Sequence, residues 1–310
     1  MTSITIPEGI VEVADGSFTD CTRLTTVYYN AANVLDLVIT GDKPFTNCNA
    51  LKTVIFGDTV RRIPNFLFFG QKSVQTVTIG SGVTHIGESA FHACIQLSSL
   101  TLGSNVVEIG SRAFTACSSL REVTIPDTVT IIRNSAFDNC SNLTSITIGS
   151  GVSTIFAAAF RNTAITSLTI PENVTEMYDG VFAGCTRLRT VYFNAENCDN
   201  FTSSGIFANC RVLSTVVFGD RVRRIPANAF SGVGALEEIT IGRRVTGIGN
   251  YAFANCKDIM EITINAARPP ALHHSVFSNV DKSFITLTVP AASLAAYQSA
   301  EGWKDFQISQ

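Results

Sequence analysis

Apolar residues in this chain recur on a beat of about 23 positions. One phenylalanine marks it, at Phe18, Phe45, Phe68, Phe91, Phe114, Phe137, Phe160, Phe182, Phe207, Phe230, Phe253 and Phe277. The steps are 27, 23, 23, 23, 23, 23, 22, 25, 23, 23 and 24 residues. A period of this size is the mark of a repeat architecture rather than of a helix or a heptad. A regular copy reads SGVTHIGESAFHACIQLSSLTLG, and the general form is V-x-x-I-G-x-x-A-F-x-x-C-x-x-L-x-x-[VIL]-x-[VIL], closing on Gly or Pro.

Two parts of the unit are extended. Leu120 to Pro126 shows Leu-x-x-Val-x-Ile, whose terminal alternation predicts a strand buried on one side. Val129 with Ile132, and Val83 with Ile86, mark a second short extended stretch after a turn at PDT or GSG. Ala-Phe-x-x-Cys between them is too short for a helix, so a single helical or 3₁₀ turn is expected. A coil of two strands and two or three corners cannot bury its own apolar face. Stacked coils can, with parallel strands pairing and ladders of Leu, Ile and Phe filling the interior.

The VTxIGxxAFxxCxxLxxVTIP unit resembles the BspA-type leucine-rich repeats of bacterial surface proteins, in particular Bacteroides-like members, and the match runs over essentially the whole chain. The resemblance implies a right-handed leucine-rich-repeat solenoid of about twelve coils. It further implies cell-surface, extracellular placement and binding of host proteins or other cells. The partner it implies is a protein or glycan, extracellular matrix included. It brings no catalytic residues and no cofactor, and a monomer is expected.

Two places break the beat alike. Cys21 to Pro64 parallels Cys185 to Pro226 at an offset of 164 residues falling to 162, so a seven-coil block reads as duplicated. The irregular coils lie near residues 28–45 and 192–207. Thr40 and Thr202 replace the usual Ile there, and outward loops are expected at 30–43 and 194–205. Loops on a rigid scaffold favour binding, although duplication alone would also copy a harmless irregularity. The solenoid is assigned to 1–290. Residues 291–310 form a capping segment, with a short helix over Ala291 to Ser299 followed by Trp303 and Phe306. The opening MTSITIP reads as a strand with an open edge, which leads us to expect further sequence before it.

Composition narrows the class. Charged residues make up only 15% and the net charge is −3, without the basic footprint of a nucleic-acid-binding protein. No apolar run is long enough to span a membrane, and no signal-peptide pattern is present.

Candidate chemistry is sparse. Eight of nine cysteines sit three residues after the repeat Phe, where other coils place Gln71, Thr163, Val233 and Val280. That interchange marks a small buried filler. Parallel side chains one coil apart hold their Cβ atoms too far apart for a disulfide, so free thiols are expected. The ninth, Cys198, aligns with Val34. His273 and His274 on a strand should face opposite ways, and no metal-ligand motif occurs. Gly80-Ser81-Gly82 and Gly149-Ser150-Gly151 are turn chemistry, and Glu237-Glu238 should point apart, so no enzyme is read here.

The strand surface carries more. The outward position between the last two apolar residues reads Tyr28, Ile55, Thr78, Thr101, Thr124, Thr147, Thr169, Tyr192, Val217, Thr240, Thr263, Thr288. This threonine ladder is broken only at the two irregular coils, by Tyr28 with Ile55 and Tyr192 with Val217. Aromatic and aliphatic residues side by side suit a binding patch, unless the insert loops cover them. A second candidate is basic: Arg221, Arg223 and Arg224 beside Arg243 and Arg244, echoed by Arg61 and Arg62. It suits either an anionic polymer or a solvated face shared with Asp220, Glu237 and Glu238. Two functions stay open, an adhesion module and a structural spacer in a larger surface protein.

Overall fold

In the computed structural model, residues 1–34, 43–198, 201 and 205–310 are described. They fall into two compact units, Met1–Ala164 and Ile165–Gln310. Each is a parallel β-solenoid.

In the first unit the Leu-x-x-Val-x-Ile segments form a sheet ordered Ser3–Ile6, Thr26–Tyr29, Thr53–Phe56, Thr76–Ile79, Ser99–Thr101, followed by the pair Glu122–Thr124 and Ser145–Thr147. The second extended stretch forms a ladder of two-residue strands, Arg62–Ile63, His85–Ile86, Glu108–Ile109, Ile131–Ile132 and Thr154–Ile155. The second unit repeats the plan. Its main sheet runs Ser167–Ile170, Thr190–Phe193, Thr215–Phe218, Glu238–Ile241, Glu261–Ile264, Thr286–Thr288 and Gln307–Ser309. Its minor sheet joins Arg224–Ile225, Gly247–Ile248 and Ala271–Leu272.

Side-chain alternation sets the register. Val27, Val54 and Val77 are buried in line, as are Val191, Val216 and Ile239. A slip of one residue would turn that whole row outward. Thr26 pairs with Thr53 and Thr190 with Thr215, so the strand register holds across spacings of 27 and 25 residues as it does across 23.

The repeat phenylalanines form the spine of the core. In the first unit consecutive rings from Phe18 to Phe160 stack at 4.7–5.7 Å. In the second, Phe182, Phe207, Phe230, Phe253 and Phe277 stack at 4.9–6.3 Å. Near-parallel offset rings at these distances add to the area they bury.

The Phe corner differs from the single helical turn expected there. The residue two after every repeat Phe is left-handed, at φ 58° to 78°. In most described coils the residue two before it is left-handed as well, for example Ser89, Arg112 and Ser135. Alternating right- and left-handed residues turn every second N–H along the stack. Ser89, Phe91 and Ala93 accordingly donate to Ser111, Ala113 and Thr115 of the next coil, each at 2.8 Å. The corner is therefore a third inter-coil ladder. Asn, Asp or Gly fills most of the later left-handed positions because these residues adopt that conformation at least cost.

The cysteines complete this corner. Six of the thiols donate to the carbonyl of the preceding coil's Phe, among them Cys94 to Phe68 at 3.3 Å, Cys117 to Phe91 at 3.3 Å, Cys140 to Phe114 at 3.2 Å and Cys256 to Phe230 at 3.1 Å. The position thus takes a small residue with a weak donor, beyond the simple filler read from sequence. All nine cysteines are free thiols.

At the end, a 3₁₀ turn (Ala291–Ser293) leads into a helix (Leu294–Ser299). Tyr297 and Trp303 are buried and donate to the carbonyls of Ala266 and Pro270, each at 2.8 Å. Phe306 packs edge-on against Phe277 at 5.3 Å. Both polar tips being satisfied lets large aromatics close the last coil without orphaned donors.

Candidate binding surface

The outward row of the main sheet is where the sequence places it. In the first unit Tyr28 is directly paired with Ile55, and Ile55 with Thr78. In the second, Tyr192 lies between Thr169 and Val217. Tyr28 is 42% and Tyr192 45% exposed, while Ile55 and Val217 are half-buried beside them. Each Tyr ring therefore stands on the sheet face next to an aliphatic side chain, at the Cβ separation of a paired position. The expected loops at 30–43 and 194–205 lie in large part outside the described residues; of their described parts, Val34 and Cys198 point into the core.

The arginines occupy a different edge. The pairing of Arg224 with Gly247 sets a 23-residue offset that brings Arg244 level with Arg221 and Arg243 level with Asp220. Arg221 meets Glu172 at 2.7 Å, Arg223 meets Glu196 at 3.2 Å and Arg243 meets Asp220 at 3.6 Å. With three of the five guanidiniums held by carboxylates, this is a mixed-charge face. Such exposed pairs contribute little individually. Arg61 and Arg62 are exposed in the first unit.

His273 and His274 correct one expectation. Their rings lie together, centroids 4.2 Å apart, instead of on opposite faces. The strand ends at Leu272, so the period-two rule no longer applies beyond it. Among the described residues no three His, Cys, Asp or Glu side chains converge in a way that could hold a metal ion.

Two features escaped the sequence reading. Phe69 stacks on His92 at 4.7 Å and lies 6.2 Å from Phe66, with the Lys43 ammonium 5.3 Å over its ring. Phe66 and Phe69 lie outside the repeat's regular positions, and that was the available signal. The second is a cavity of about 360 Å³ beside His273, His274 and the cap. Nothing in the local pattern announces it, because it forms only where the stack stops.

Burial pushes the Cys94, Cys140 and Cys256 thiols up to about 12 and Cys48 to about 11, so these groups stay protonated and unreactive at neutral pH. Among the described residues no helix is long and apolar enough to cross a membrane.

Stacked coils of about 23 residues, a Phe spine and a one-sided sheet define a leucine-rich-repeat protein. The chain belongs to the BspA type leucine rich repeat family, whose profile matches residues 1–121, 107–233 and 200–293. Among solved structures it is similar to a leucine-rich repeat protein from Bacteroides ovatus, at 20% identity and a TM-score of 0.59, covering 99% of this chain and 92% of that one. It is also similar to a leucine rich cell surface protein from Faecalibacterium prausnitzii, at 22% identity and a TM-score of 0.50, covering 99% and 87%. At these identities the likeness bears on the fold alone. None of the curated proteins searched matches the chain.

Proposed function

We propose that this protein is a non-catalytic binding module displayed on a bacterial cell surface, and that it engages a host or microbial protein or glycan through its main sheet face. The observation that carries this reading is an exposed tyrosine beside an aliphatic residue on the main sheet of each unit, Tyr28 in the first and Tyr192 in the second, in an outward row otherwise made mainly of threonine. Such faces are rigid, so an aromatic anchor loses little conformational freedom on binding. Tyrosine is among the residues that dominate interface energetics. The carboxylate-paired arginines support a mixed-charge face more than a dedicated anion site.

The test is a glycan and extracellular-matrix array probed with the protein and with the Tyr28→Ala/Tyr192→Ala variant. A ligand captured by the parent and lost by the variant, with unchanged thermal stability, supports the reading. Capture that persists in the variant removes the tyrosines from the site. A parent that binds nothing on the array favours the spacer role instead.

A further inference from the structure

In the second unit Leu188, Leu213, Leu236 and Ile259, each three residues before a buried strand residue, are themselves buried. The same count from Leu287 falls on Phe284. Phe284 is nevertheless 77% exposed, more than any other large apolar side chain among the described residues, and Ile285 takes the inward place instead. The backbone enforces this exchange. Lys282–Phe284 forms a 3₁₀ turn, which Asp281 caps by accepting from Ser283 N at 3.0 Å and from Ser283 Oγ at 2.7 Å. The Ile285 N–H closes the turn on the Lys282 carbonyl at 3.2 Å. Phe284 is thus held outward on a fixed support, where it adds almost no burial to the fold.

The preceding coil carries a second exposed apolar side chain. Met260 is 56% exposed, and its carbonyl accepts from the Thr286 N–H at 2.9 Å. Glu261 stands level with Thr286, so Met260 is level with Ile285 and one residue away from Phe284 in register. The charge around this pair has one sign. Glu238 is level with Glu261 on the adjoining strand, and Glu237 precedes it. All three glutamates are exposed, and among the described residues none of them forms an ion pair. Of the cations just before these strands, Lys282 turns to the cap, bonded to Asp305 at 3.3 Å and lying 5.6 Å over the Phe306 ring. The other, Lys257, adjoins Asp258 in sequence.

We propose that this strand-entry edge of the second unit docks a basic segment of a partner protein, an extended peptide whose apolar side chain is flanked by Lys or Arg. Phe284 and Met260 receive the apolar side chain, and Glu237, Glu238 and Glu261 pair with the cations around it. Phe and Met are both enriched in interface cores, and the unbranched thioether adapts its shape to what it meets. The carboxylates steer the partner and set its sign. A second copy of the same edge would bring like charges together, which disfavours self-association through it. The site uses neither Tyr28 nor Tyr192 and does not depend on the reading given to them.

The test measures, on the full chain, the fluorescence anisotropy of a short labelled peptide alternating Leu and Lys. Its controls are the counterpart with Glu in place of Lys and an all-Lys peptide of equal length. The Leu/Lys peptide should bind saturably and more tightly than either control. Phe284→Ser should weaken it on the order of tenfold, as the loss of one apolar anchor does. Glu238→Gln/Glu261→Gln should weaken it on the order of threefold and flatten its salt dependence. All three side chains are exposed, so unfolding followed by Trp303 fluorescence should be unchanged and would report any misfolding separately. Absence of saturable binding overturns the proposal, as does equal binding of the Glu counterpart or an affinity that either variant leaves unchanged. Self-association, or adsorption to zwitterionic vesicles, that Phe284→Ser abolishes would assign the edge to a second copy or to lipid and overturn it too.

Discussion

Removing one ring from the aromatic spine tests the account of what holds the coils together. Phe253 is fully buried. Its ring stacks on Phe230 at 6.3 Å and Phe277 at 5.6 Å, and Phe218 meets it edge-on at 6.1 Å. Phe253→Ala forfeits the transfer of the ring and leaves a cavity that neighbours on a ladder cannot close, a loss of about 4 kcal/mol. Phe253→Leu keeps most of the apolar volume but loses three ring contacts, each worth about 0.5–1.5 kcal/mol and not fully additive, so about 2 kcal/mol is expected. Trp303, the single tryptophan, is buried in the cap of the same unit, and its fluorescence reports unfolding directly. At a urea slope of about 2 kcal/mol per molar, the Ala variant's midpoint should fall by about 2 M and the Leu variant's by about 1 M. An Ala variant within about 1 kcal/mol of the parent would show that the sheets alone hold the coils. Equal losses for Ala and Leu would remove the ring stacking from the account.

Other consequences are as direct. Tyr251 is 48% exposed and held at φ 57°, a conformation that costs a bulky residue about 1–2 kcal/mol, so Tyr251→Asn should stabilise the protein by about 1 kcal/mol, read from the same urea curves. Iodoacetamide on native protein should label the half-exposed Cys21 first. The other eight cysteines should react only in denaturant, so rapid native labelling of Cys117 would contradict its buried hydrogen bond to Phe91. The Arg133 guanidinium, bonded to Glu108 at 2.8 Å, holds that carboxyl below its ordinary value. A depressed carboxyl contributes stability above its unfolded pKa and loses it as pH falls through the folded one. Between about pH 5 and 3 the parent should therefore lose more stability than Arg133→Gln, by under about 1 kcal/mol for so exposed a pair. Identical acid profiles for the two proteins would show that the pair adds nothing.

The sequence by itself determined the coil length, the strands and the outward row. Those follow from local alternation repeated every 23 residues, and Tyr28 beside Ile55 is already legible once the copies are aligned. It also marked the cysteines as a buried position in the repeat. Only the tertiary structure showed what that position does, because the acceptor of Cys117 is the Phe91 carbonyl, 26 residues away in the previous coil. The left-handed corner is likewise decided by stacking. Ala93 and Ala116 pay a local penalty there that inter-coil hydrogen bonds offset, and no local propensity predicts it. His273 and His274 meet because their strand ends one residue earlier, and the cleft beside them exists because the stack stops there. A repeat writes its own geometry into each coil. What happens where the repetition ends is settled by which groups lose their neighbours.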